Sequence, residues 1–195
     1  MDLQSLVEHG RWTTAPAAVT TEPDGSLLVT AVEGSDAWRH TSYGFVHDTE
    51  HALIASMQRR AAIEVSFVLD GSEQFDQAGV FLRASESTWI KAGVEVSDGV
   101  AQLGAVVTHG TSDWSVAPVP DWLGQTVTVR ASRDGDAVTV RARVDDEDWR
   151  LVRVAHLDPE ADVEAGLFCA APTRAGLTVR FTAVRLGPPD DALHG

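Results

Sequence analysis

The chain has 195 residues, with 29 acidic against 15 basic side chains and a net charge of −14 when histidine is neutral. That balance excludes nucleic acid as a partner, because such binding is driven by Lys and Arg neutralising phosphates. It equally excludes an anionic membrane surface, and leaves neutral or cationic partners open.

The start, "MDLQSLVEHGRW", has no basic region followed by an apolar run, so no secretory signal is expected. "LQSLVEHG" (3–10) predicts one or two helical turns ended by Gly10. After the turn "EPDG", "SLLVTAV" (26–32) predicts a strand, whereas "SDAWRHTSYGFVHDTEH" (35–51) reads as a loop rich in histidine. Strands follow at "HALIASM" (51–57) and "AAIEVSFVLDG" (61–71). "DQAGVFLRASESTWIKAGVE" (76–95) reads as a hairpin turning at "SEST", and "VAQLGAVVTHG" (100–110) as the next strand. "THGTSDWS" (108–115) is again expected to be loop. "TVTVRASRDGDAVTVRARVDDEDWRLVRV" (126–154) splits into three strands at "DGD" and "DDED", the last strand starting at Trp149. "VEAGLFCAAP" (163–172) and "LTVRFTAVRL" (177–186) complete the set, and the tail "GPPDDALHG" is expected to fray.

Many short alternating strands between turn signals, with no segment holding a 3.6-residue period, predict an all-β antiparallel sandwich. Hydrophobic residues at 44% and charged residues at 23% suit one such domain. The expected division is an N-terminal segment 1–11, a domain 12–187 and a tail 188–195. Cys169 is the sole cysteine and sits among apolar residues in "GLFCAAP". It is expected to be buried and inert, and a chain without disulfides fits the cytoplasm. No stretch approaches the ~18 consecutive apolar residues of a membrane span.

The 76–95 hairpin carries the sharpest functional signal. Residues two apart share a face of a strand. Ala78, Val80, Leu82 and Ala84, then Ile90, Ala92, Val94 and Val96, form an apolar face. The opposite face mixes Gln77, Phe81 and Arg83 with Trp89, Lys91 and Glu95, separated by Gly79 and Gly93. The glycines are expected to leave room above the sheet, and Arg83 or Lys91 to pair with Glu95. Aromatic rings beside hydrogen-bonding groups suit sugars, whose C–H faces stack while their hydroxyls take directed bonds. The same pattern fits a structural ion-pair network beneath a long loop.

The motifs "SDAWRHTSYGF" (35–45), "DQAGVFLRASESTWIKAGVE", "VVTHGTSDWS" (106–115) and "DDEDWRLVRV" (145–154), in that order, resemble one family. It is the regulation-of-enolase-protein-1-like domain-of-unknown-function family. The resemblance runs from about Trp12 to Leu186. It implies a concanavalin A-like jelly roll, two curved sheets whose concave face holds carbohydrate in lectin and glucanase relatives. It implies no reaction. The Gly-His step expected before the fourth strand is replaced here by Glu50-His51.

A jelly-roll glucanase carries its carboxylates in an E-x-D-x-x-E pattern on one strand. Here Glu95 is followed by Val96, Ser97, Asp98 and Gly99, and a partner would have to come from Asp76 or Asp113. The reading therefore leans away from an enzyme. His40, His47 and His51, with His109 and Asp113, follow no metal-ligand spacing, and no metal or cofactor is expected. The acidic turn Asp145–Asp148 reads as solvated rather than as a calcium site. Trp38, Tyr43 and Trp114 either pack a loop onto the sheet or line the mouth of a groove.

The sequence thus predicts a non-catalytic sandwich binding a small polar ligand, a carbohydrate, on its concave face. Its candidate residues are Gln77, Phe81, Arg83, Trp89, Lys91, Glu95, Trp38, Tyr43, His51, Asp113 and Trp114. The alternatives are a protein-interaction module acting on a metabolic enzyme and a divergent glycoside-active enzyme. Oligomeric state is left open.

Overall fold

A computed structural model describes residues 1–193. In chain order it contains α1 (Leu3–His9), β1 (Arg11–Trp12), β2 (Ala18–Thr21), β3 (Leu27–Thr30), β4 (Ala37–Arg39), β5 (Val46–Asp48), β6 (His51–Met57) and β7 (Ala61–Val68). The hairpin β8 (Gln77–Ser85) and β9 (Thr88–Ser97) follows, then β10 (Val100–His109) and β11 (Thr111–Pro118). After a 3-10 turn at Pro120–Trp122 come β12 (Thr126–Asp134), β13 (Ala137–Val144), β14 (Arg150–His156), β15 (Val163–Ala170) and β16 (Thr178–Gly187).

Two seven-stranded antiparallel sheets form the sandwich. The front sheet runs β1-β6-β15-β8-β9-β10-β11 and the back sheet β14-β13-β12-β7-β16-β3-β2. The expected apolar face of the 76–95 hairpin is the one that meets the back sheet. Val80, Leu82, Ile90, Ala92 and Val94 join Val65, Phe67, Val129, Val140 and Phe181 in one core. Cys169 lies in this core with no exposed surface, and burial pushes its thiol up to about 12.

The helix forms where expected. Asp2 caps it by accepting the Ser5 N–H at 2.9 Å, and Leu3 and Leu6 reach the core. Segment 1–11 is therefore packed onto the domain. Gly10 closes the helix in an extended conformation, φ −75°, and not in the left-handed one. Glycine is needed there for space, since a Cβ would sit 2.5 Å from the Leu6 carbonyl oxygen.

Four expectations need correction. Residues 37–48 are not loop but a small two-stranded hairpin, and 111–118 form an eight-residue edge strand. The last of the three strands begins at Arg150 rather than Trp149. The tail does not fray through Asp190. Arg130 donates to its carboxylate at 2.7 Å, Arg141 bonds its other oxygen, and the Asp190 N–H donates to Ser132 at 2.8 Å. Charge-assisted bonds to two arginines hold a segment that lacks apolar anchors. His194 and Gly195, the end of the expected tail, lie outside the described residues.

Candidate functional site

Strand register turns the outer face of the front sheet, away from the core, into a lattice. One row reads Gln77, Glu95, Gln102 across β8, β9 and β10. The next reads Phe168, Gly79, Gly93, Gly104, and the one after it Phe81, Lys91, Val106, Trp114. The fourth holds Arg83, Trp89, Thr108 and Ser112.

The glycine row does not leave empty room, as expected from sequence. A Cβ on Gly79 would lie 2.0 Å from the Ala92 carbonyl oxygen, and one on Gly93 2.0 Å from that of Ala78. Neighbouring backbone fills the space that a side chain would need, so glycine is imposed by the close approach of the strands. The consequence is a channel without side chains. Lys91 crosses it to donate to Gln77 Oε1 at 2.8 Å.

The β4–β5 hairpin folds over this lattice as a flap. Ala37 and Trp38 pack on Phe81, Trp89, Val106 and Phe168 in a second, smaller apolar cluster. Asp36 anchors its base, taking Lys91 Nζ at 3.0 Å and Gln77 Nε2 at 3.3 Å on Oδ1. The Arg39 N–H donates to Ser112 Oγ at 2.9 Å on the far strand. Its tip carries His40 and Ser42 in left-handed backbone, φ 63° and 65°, uncommon for side-chain-bearing residues.

Between flap and sheet lies a cleft of about 910 Å³, open mouth included. Its wall is a chain of aromatic rings. Trp38 meets Trp114 edge-on at 6.4 Å and Tyr43 at 5.7 Å, Tyr43 stacks on Phe45 at 5.3 Å, and Phe45 meets His47 at 4.5 Å. Tyr43, Phe45 and Trp114 are exposed. The polar floor is Asp36, Gln77, Lys91 and Glu95. Phe75, at the rim, has φ 67°, and backbone strain in a bulky residue concentrates at functional sites.

Glu95 is the unusual group of the floor. Its Oε1 is buried with no hydrogen-bond partner among the described residues. Burial raises its carboxyl to about 7, against the pull of nearby Lys91 and the Trp114 indole. Lys91, the expected partner of Glu95, spends its bonds on Asp36 and Gln77 instead.

Six of the eleven candidate residues come together here: Gln77, Lys91, Glu95, Trp38, Tyr43 and Trp114. The others do not. Phe81 and Trp89 share the outer face but are buried beneath the flap and stack on each other at 5.6 Å, so neither is an open platform. Arg83 points to the side of the sheet, its Nη1 3.9 Å from the buried Glu50, rather than to Glu95. His51 is fully buried. It accepts the Val32 N–H on Nε2 and donates from Nδ1 to Thr14 O, both at 3.0 Å, which requires the neutral ring; burial accordingly lowers its pKa. Asp113 turns outward and pairs with Arg153 of β14 at 3.0 Å, clipping the two sheets together. Asp76, the other possible carboxylate partner, is buried and bound to Arg174 at 2.8 Å.

Asp36, Phe45, His47 and Phe75 also line the cleft, beside Gly34, Val106, Pro172 and Thr173, and were not among the candidates. The available signal for Asp36 was Lys91 itself, since a lysine on a half-buried strand face needs an anion from somewhere.

Against known proteins, the family model described as "Protein of unknown function (DUF1349)" matches residues 12–189. "Regulation of enolase protein 1" of Saccharomyces cerevisiae is 33% identical over 191 residues, 96% of this chain and 94% of the yeast protein. The crystal structure of a functionally unknown Saccharomyces cerevisiae protein superimposes with a TM-score of 0.88 at 31% identity, covering 94% of this chain and 98% of that one. A bifunctional GH43-CE protein of Bacteroides eggerthii shares the fold, with a TM-score of 0.70 at 17% identity over 93% of this chain and 24% of its own.

Proposed function

The chain belongs to the DUF1349 family, and from that premise we propose that it binds a small polar ligand, a carbohydrate, in the cleft under the flap. The observation that carries this reading is the pairing of an exposed aromatic wall, Tyr43, Phe45 and Trp114, with a polar floor of Asp36, Gln77, Lys91 and Glu95. Sugar rings stack their C–H faces on such walls while their hydroxyls bond the floor. The free, buried thiol of Cys169 fits a reducing compartment, here proposed as the cytoplasm.

A second reading has one observation in its favour. The yeast relative is named as a regulator of enolase, and exposed aromatic side chains also serve protein interfaces. On that reading the Tyr43–Phe45 rim docks on a protein.

Tryptophan fluorescence titrated with neutral oligosaccharides separates the two. Sugar binding predicts a saturable change that Trp114→Ala weakens at least tenfold while the urea midpoint holds. No response to any glycan, with a protein partner captured by the wild type and lost by Tyr43→Ala, would establish the second reading instead.

A further inference from the structure

Resting on the sugar-binding reading, we propose that the cleft selects an amino sugar, one whose ring carries a free amine that docks as an ammonium on Glu95. A charge inventory of the floor points there. Lys91 is neutralised by Asp36, and the same Asp36 Oδ1 already accepts three bonds, from Lys91 at 3.0 Å, Gln77 at 3.3 Å and the Ala37 N–H at 2.8 Å. Gln77 spends its carbonyl on Lys91 and its amide on Asp36 and the Phe75 carbonyl. The floor residue left short of partners is Glu95, with a buried oxygen unbonded among the described residues.

A neutral sugar offers that carboxylate a hydroxyl, which supplies a bond but no charge. An ammonium supplies both, and a charge-assisted bond is roughly twice as strong as a neutral one. The surroundings favour a cation for a second reason. Trp38, Tyr43, Phe45 and Trp114 line the same cleft, and the electron-rich faces of such rings attract cations. The net charge of −14 also draws cations toward the protein and disfavours anionic sugars.

The Glu95 carboxyl titrates near 7, and the amine of an amino sugar also titrates near neutrality. The complex holds one proton between the two groups. At low pH both are protonated and at high pH neither is, so affinity is greatest near neutral pH and falls on either side. The other charged or titratable groups lining the cleft with Glu95 are Lys91 from its own strand, and Asp36, Tyr43 and His47 from the flap. Lys91 and Asp36 are bound to each other at 3.0 Å.

The test compares three β-1,4-linked disaccharides that differ only at C2: cellobiose with hydroxyls, diacetylchitobiose with acetamides, and deacetylated chitobiose with amines. Calorimetric titration at constant salt from pH 5.5 to 8.5 is expected to show the diamine binding at least tenfold more tightly than either neutral twin near pH 7. Glu95→Gln should remove that advantage, bringing the diamine to the level of its neutral twins, and flatten the acidic side of the profile. Equal affinities for the three sugars, or a diamine preference that survives Glu95→Gln as general attraction to an acidic protein would, overturns amino-sugar selection and leaves sugar binding standing. Absence of binding by all three overturns both.

Discussion

Lys91 and Asp36, 55 residues apart in the chain, meet at 3.0 Å beneath the flap. The bond joins a central strand of the front sheet to the base of the β4–β5 hairpin, and both side chains are largely withdrawn from water. Breaking one side leaves a desolvated charge behind. Asp36→Asn is expected to cost about 1.5–3 kcal/mol in urea unfolding, the range of a charged hydrogen bond. In that background Lys91→Met should cost less than it does alone, because the lysine has already lost its anion. Strict additivity in the double-mutant cycle would mean that the two residues do not hold the flap together.

Glu95 makes a prediction about pH. Its carboxyl lies near 7 in the folded protein against an ordinary 4.5. Between those values the unfolded chain is ionised while the folded one keeps its proton, so this group makes stability fall as pH rises. The loss is complete above about pH 7 and is on the order of 3 kcal/mol. Glu95→Gln removes the effect, so its stability relative to wild type should climb from pH 4.5 to pH 7.5 by that order. A difference between the two proteins that stays flat with pH would show Glu95 titrating normally.

Trp89 and Trp114 lie in adjacent rows of one sheet face yet should respond oppositely. Trp89 is buried in the cluster beneath the flap, and Trp89→Ala is expected to cost about 3–5 kcal/mol by leaving a cavity. Trp114 is exposed at the cleft mouth, and Trp114→Ala should cost no more than about 1 kcal/mol. Denaturation midpoints check the ranking, and a reversal would mean that the flap does not cover Trp89 in solution.

Gly93→Ala tests the tight channel. The added methyl would lie 2.0 Å from a backbone carbonyl that cannot swing aside. Its cost should reach or pass the upper end of the ~1–3 kcal/mol usual for overpacking. Gly99→Ala, in a left-handed turn with open space around it, should cost only about 1 kcal/mol. Thermal melts of the two variants should differ clearly, and equal losses would refute the close approach of β8 and β9.

Cys169 should be silent toward a thiol reagent such as DTNB until the protein unfolds, because it is fully buried and its thiol is pushed up to about 12. Rapid modification under native conditions would contradict its place in the core.

Much of this architecture is legible in the chain because strand information is local. The two-residue alternation of Ala78 to Ala84 and Ile90 to Val96 states which side meets the core, and the turn between them sets the register that pairs Gln77 with Glu95 and Phe81 with Lys91. Asp-Gly at 134–135 marks a hairpin by its own backbone preference, and the apolar flanks of Cys169 announce its burial. What covers the polar face was not local. Trp89, Lys91 and Glu95 alternate on one strand, yet the first is sealed by Trp38, the second is neutralised by Asp36, and the third faces the cleft. Those fates depend on a flap drawn from residues some 50 positions earlier, whose short strands and left-handed turn residues give no sustained period to read. Alternation assigns a side chain to a face, but only tertiary packing decides whether that face meets water, a ligand or another part of the same chain.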